Sequence, residues 1–227
     1  MSYGRPLTHP EPIDPPRRLG PMETLTFGWI GIALAGGAYP VVQIFLDVGM
    51  PPLPSRILAA LMMSGPAFSL GFVYAGMAAT LMVATAWTFA AFARIGGAPI
   101  WLASLAGGWT GFLCVLPFAR NLSGNVWFDV LLATAMGQVG AAWTAGVAVR
   151  RNRRALGIER EPQRTFRIGL RQLFGATTFF CILAAVLGAV SPAPELYQLM
   201  AAAALLQANL TLAGLIGARV LSTSDGQ

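Results

Sequence analysis

No lysine occurs in this chain, histidine occurs once and cysteine twice, and the long apolar runs carry no ionised residue near their middles. Each shortage excludes a class of chemistry. Metal centres need His, Cys or carboxylates in groups, but His9 stands alone in a proline-rich leading segment. Cys114 and Cys181 fall in different apolar runs at different depths, which argues against a disulfide and leaves them as small packing residues. Ion-coupled pumps and proton relays carry charged side chains inside their spans, because hydrocarbon tolerates a charge only where it has a task. None is present here, which argues against a proton-coupled transporter.

What remains is apolar. Of 227 residues 56% are hydrophobic and 11% charged, with mean hydropathy +0.63, far from the roughly 25% charged residues of soluble domains. A bilayer core needs about 20 apolar helical residues per crossing. The runs predict an all-α, polytopic membrane helix bundle of about six transmembrane helices plus a short interfacial or re-entrant helix. The spans are Thr24 to Leu46, Phe68 to Phe92, Pro99 to Phe118, Val126 to Val149, Leu170 to Val190 and Leu196 to Val220. The uncharged stretch from Ile57 to Ala93 is too long for one crossing, so Ser55 to Ser64 is expected to form the short helix, broken from the next at Gly65-Pro66. Residues 1–22 are expected to be a disordered cytoplasmic tail, residues 23–221 the membrane domain with a basic loop at 150–169, and residues 222–227 a terminal tail.

All fifteen basic residues are arginines, and they divide unevenly. Six crossings put Arg5, Arg17, Arg18, Arg94, Arg219 and the eight arginines between Arg150 and Arg171 on one face, leaving Arg56 and Arg120 on the other. Positive charge gathers on the cytoplasmic side, so both termini are expected there, in a bacterial inner membrane. Arg150, Arg151, Arg153, Arg154, Arg164, Arg167 and Arg171 become the candidate contact surface for anionic lipid head groups, for a protein partner or for another copy of the chain. A net charge of +6 invites a nucleic-acid reading. Without aromatic residues interleaved on a basic platform, no nucleic acid is expected.

Within the spans the neutral polar residues include Gln43, Gln138, Gln207 and Asn209. Gln138, Gln207 and Asn209 either bond across helix interfaces or line a polar solute path, and Gln207 and Asn209 project about 200° apart on one helix. Glycine and alanine at four-residue spacing, Gly31 with Ala35 and Gly107 with Gly111, predict close helix packing within the chain. The outer carboxylates Asp47, Asp129 and Glu195 come one to a connection, and Asp129 is expected as a solvated rim residue near Arg120. Without a nucleophile and base, or paired carboxylates, no enzyme, no metal and no cofactor is expected. A lipid-active enzyme would require the fold to gather those three acids.

From Arg164 to Thr178 the chain reads Arg-Thr-Phe-Arg-Ile-Gly-Leu-Arg-Gln-Leu-Phe-Gly-Ala-Thr-Thr. This resembles a segment of bacterial multi-pass membrane proteins of the form R-F-x-[IL]-R-x-L-[LF]-x-x-T-T before an apolar span, with Arg167, Leu173, Phe174, Thr177 and Thr178 fitting, and Gly169 and the spacing from Phe166 departing. The resemblance implies a helix-anchoring segment and no activity. The sequence therefore points to a structural, assembly or partner-interaction subunit. The competing reading is a small transporter or channel for a neutral or lipophilic solute, which predicts a water-accessible cavity at Gln138, Gln207 or Asn209.

Overall fold

The computed structural model describes residues 18–46, 53–95, 97–117, 126–157 and 194–224. Every regular element among them is a helix: α1 (Pro21–Leu46), α2 (Leu53–Phe92), α3 (Ile100–Val115), α4 (Val126–Ala155) and α5 (Pro194–Ser224). Three stretches, Pro21–Gln43, Met62–Phe92 and Val126–Ala155, have the length and apolar character to cross a membrane. Three candidate spans in one chain point to a multi-pass membrane protein. The 16 residues of α3 make a shorter apolar helix, about 24 Å long at 1.5 Å per residue. Five helices are thus described where about six spans were expected; the expected fifth, Leu170 to Val190, lies outside the described residues, as do residues 1–17.

α1 starts earlier than the hydropathy suggested. Pro21 occupies the first helical position, where a missing N–H costs nothing, and Glu23 reaches back so that its Oε2 accepts the Gly20 N–H at 2.9 Å. α4 ends later, taking Arg150, Arg151, Arg153 and Arg154 into the helix. Arginine is a good helix former, and cations in a last turn complement the negative end of the helix dipole. The expected basic loop therefore begins as helix. The helix stops where Gly157, at φ 64°, donates its N–H to the Arg154 carbonyl at 3.1 Å.

The expected break at Gly65-Pro66 is corrected outright. α2 runs unbroken through Pro66 for 40 residues, about 60 Å, so no separate short helix forms from Ser55 to Ser64. Proline removes one hydrogen bond, whereas ending a helix leaves four donors or four acceptors without intrahelical partners. Measured back from Phe92, Pro66 also lies about 39 Å along the helix, beyond an about 30 Å hydrocarbon layer and within reach of water.

Alanine dominates the interior. α1 packs against α2 and α4, and α4 also against α3, through seams of small residues on both sides. A Cβ on Gly31 would collide with the Gly140 carbonyl, one on Gly107 with the Gly137 carbonyl, and one on Gly111 with the Ala133 carbonyl. Ala35 faces the same α4 seam, beside Gly140. Phe112, Leu25 and Ile32 are buried among the alanines, but many large side chains point outward: Leu70 and Leu81 of α2 are 74% and 72% exposed. Such a surface suits lipid, since a soluble protein rarely shows so much apolar area.

Contacts fix the direction of each helix. The Leu19 N–H reaches Asn152 Oδ1 at 3.3 Å, and Arg18 and Arg94 line one cleft. The beginning of α1 and the ends of α2 and α4 therefore share one end of the bundle, which is the arginine end. Gln43 meets Asp129 at the other.

Candidate functional site

Two clusters of polar side chains stand out among the described residues, one near mid-depth and one at the end away from the arginines. At mid-depth, Gln138 of α4 and Gln207 of α5 are 2% and 1% exposed. The Gln138 Nε2 donates to the Gln207 backbone carbonyl at 2.9 Å and to Thr211 Oγ1 at 3.0 Å. The Thr211 hydroxyl donates to that same carbonyl at 2.8 Å. On the α3 side the Gln207 carboxamide lies directly over Gly108, in space that any side chain at 108 would fill. Three atoms are left over. Gln138 Oε1 and both side-chain polar atoms of Gln207 are buried without a hydrogen-bond partner among the described residues.

Of the three residues weighed as either interface hydrogen-bonders or a polar path, two come together and one does not. Gln138 and Gln207 meet, while Asn209 lies on the exposed face of α5. The roughly 200° between Gln207 and Asn209 requires this, because an inward Gln207 turns Asn209 away. Thr211, four residues beyond Gln207, completes the cluster; the i, i+4 spacing was its only signal in the sequence.

The second cluster joins α1 to the first turn of α4. Gln43 Nε2 bonds Asp129 Oδ1 at 2.6 Å and the Tyr39 hydroxyl oxygen at 2.8 Å, and that hydroxyl lies 3.5 Å from the Asp129 backbone carbonyl. Asp129 is only 9% exposed. The expectation of a solvated rim carboxylate is corrected here: the acid is held against α1, in a first turn whose helix dipole favours negative charge. Arg120 and Asp47 lie outside the described residues, and so does the side chain of Glu195. Among the described residues no three His, Cys, Asp or Glu are grouped to hold a metal ion. Cys114 carries a free thiol.

Two inter-helix ties were not anticipated. The Trp29 indole N–H donates to the Gly76 carbonyl at 2.9 Å and lies 3.2 Å from Thr80 Oγ1, pinning α1 to α2. Thr144 donates to the Phe27 carbonyl at 2.7 Å, pinning α1 to α4. At the arginine end, Arg150, Arg151, Arg153 and Arg154 are exposed on the last turns of α4. Arg164, Arg167 and Arg171, with the rest of the segment from Arg164 to Thr178, lie outside the described residues. No family model matches the chain, and no curated protein or solved structure gives a significant match.

Proposed function

We propose that the protein is a six-crossing integral protein of a bacterial inner membrane, with both termini cytoplasmic, serving as a structural, assembly or partner-interaction subunit and not as an enzyme. Helix direction supports the sixth crossing. α4 ends at the arginine end, yet α5 begins at the other, because Leu199 and Ala203 pack with Val130 and Ala133 while Gln207 meets Gln138 further along. Residues 158–193 connect these two ends, and a helix of the expected length, Leu170 to Val190, would be about 32 Å long.

One observation carries the reading of role: the polar groups at mid-depth face one another in a closed interface. A solute path needs side chains that water can reach, whereas Gln138 and Gln207 are almost wholly covered. Backbone contacts at Gly31, Gly107 and Gly111 close the seams between helices. The surface proposed for recognition is the arginine end, where Arg150, Arg151, Arg153 and Arg154 are exposed and each guanidinium near an anionic surface contributes about 1 kcal/mol. Replacing Arg150, Arg151, Arg153 and Arg154 by glutamine tests this. Flotation with phosphatidylglycerol vesicles and co-purification from native membranes are expected to fall; if both are unchanged, the arginine end is not the contact surface.

The transporter reading keeps one observation in its favour, the three polar atoms of Gln138 and Gln207 that have no partner among the described residues. A neutral solute with a donor and an acceptor could use them if the interface opened. Uptake by proteoliposomes that depends on Gln207 would support that reading over the first.

A further inference from the structure

α1 changes character along its length. In its first half one face is sunk into the bundle: Thr24, Leu25, Ile32 and Ala33 are at most 1% exposed, and the Trp29 indole and the Thr144 hydroxyl tie that half to α2 and α4. From Ala38 to Gln43 every residue is only half-buried. Between the two parts lie Gly36, Gly37 and Pro40. Pro40 has no N–H to give the Gly36 carbonyl, so one rung of the helix is missing there, and the two glycines in the preceding turn add backbone freedom. Prolines and glycines are the usual seats of helix kinks.

The same place is where α1 and α2 touch backbone to backbone. A Cβ on Gly71 would collide with the Gly36 carbonyl, a Cβ on Gly36 would collide with Ala75, and the Phe68 ring lies against Gly37. The contact can serve as a pivot. Beyond it, the side-chain tie among the described residues is the Gln43 amide, which donates to Asp129 Oδ1 at 2.6 Å and to the Tyr39 hydroxyl oxygen at 2.8 Å. Tyr39 packs in turn on the apolar cluster that holds Phe112, Val130, Leu199 and Ala203. On their own helices, Val130 stands two turns before Gln138 and Ala203 one turn before Gln207.

We infer that residues 38–46 are a hinged strap, jointed at Gly36 to Pro40 and closed by Gln43 on Asp129, that covers the apolar cluster above the mid-depth glutamines. Gln43 lies about 10 Å along the helix from Gly36, so a kink of about 25° moves it about 4 Å, enough to part it from Asp129. Opening uncovers Val130 and Phe112 from the α1 side, while the tied first half of α1 stays in place. The strap suits a structural subunit and a transporter alike. It does not depend on which side of a membrane that end of the bundle faces.

The experiment is hydrogen exchange, read by mass spectrometry, on the full chain in neutral detergent, comparing peptides that cover residues 38–46 with peptides that cover residues 24–33. Q43L removes the closing bond and is expected to speed exchange over 38–46 about fivefold, the scale of one hydrogen bond, while 24–33 stays within about twofold of wild type. D129N keeps an accepting oxygen and is expected to behave like wild type. P40A returns an N–H to the Gly36 carbonyl and is expected to slow exchange over 38–46 by about fivefold. Uncovering is read separately with Val130→Cys, in a background where Cys114 and Cys181 are serine. Its alkylation by N-ethylmaleimide is expected to quicken with Q43L and to slow with P40A. Unchanged exchange in Q43L, equal acceleration over 24–33, or no effect of P40A would overturn the joint. Faster exchange in Q43L without faster alkylation would leave a loose helix end and overturn the covering role.

Discussion

Gln138 and Gln207 occupy equivalent depths, yet their side chains make different contributions. Gln138 uses its amide N–H groups on a backbone carbonyl and on Thr211, whereas Gln207 supplies that carbonyl from its main chain and leaves its own carboxamide without a partner among the described residues. Replacing Gln138 by methionine should therefore cost about 1 kcal/mol, the usual scale of an interhelical hydrogen bond in a membrane. Gln207→Met should be neutral or stabilising, because it removes buried polar atoms that bond nothing among the described residues. Thermal unfolding of both variants in the same detergent checks the asymmetry; a larger loss for Gln207→Met would mean that its carboxamide has a partner. Gly107→Leu tests the seam. Its new side chain would meet the Gly137 carbonyl and Ala141, and overpacking against backbone should cost about 1–3 kcal/mol in the same assay. The sequence could name these glutamines and glycines as polar or small residues inside apolar runs. It could not say which would meet, since that depends on how each helix is rotated about its axis.

α2 shows where local rules and long-range context part company. Gly65-Pro66 is a strong helix-breaking pair by propensity, and the excess length of the apolar run seemed to require a break somewhere. Length alone was read correctly; its consequence was not, because a helix can extend past the hydrocarbon layer as well as break. Spin labels at Leu58→Cys and Thr88→Cys, with Cys114 and Cys181 replaced by serine, test the continuity. Thirty residues of unbroken helix place the two backbone positions about 45 Å apart. A distance shorter by 10 Å or more than that roughly 45 Å would mean a sharp bend at Pro66. The ends of α1 and α4 were legible in hindsight from Pro21 with Glu23 and from the arginines before Gly157. Hydropathy is blind to both, since caps and charged last turns are polar while still being helical.

At the scale of the whole molecule, the arginine distribution and the helix packing agree on one arrangement. Arg18, Arg94 and the Arg150–Arg154 group come together at one end of the bundle, as the charge bias required, and the small-residue seams hold α1, α3 and α4 close enough to keep them there. The class of fold was legible because apolar run length and arginine placement are properties of composition along the chain. The clefts and polar clusters were not, because they arise between segments far apart in sequence, as with Leu19 and Asn152 or Gln43 and Asp129. The central claim is that a helical bundle spans the membrane with its arginine end and both termini on the cytoplasmic side. Single cysteines at Arg18, Leu58, Arg94, Arg154 and Gln227, in the background lacking Cys114 and Cys181, can be labelled in intact cells with a membrane-impermeant maleimide. The account predicts labelling at Leu58 alone, and at the other four only after the membrane is opened. Labelling of Arg18→Cys and Gln227→Cys from opposite sides, or of Arg94→Cys in intact cells, would contradict it.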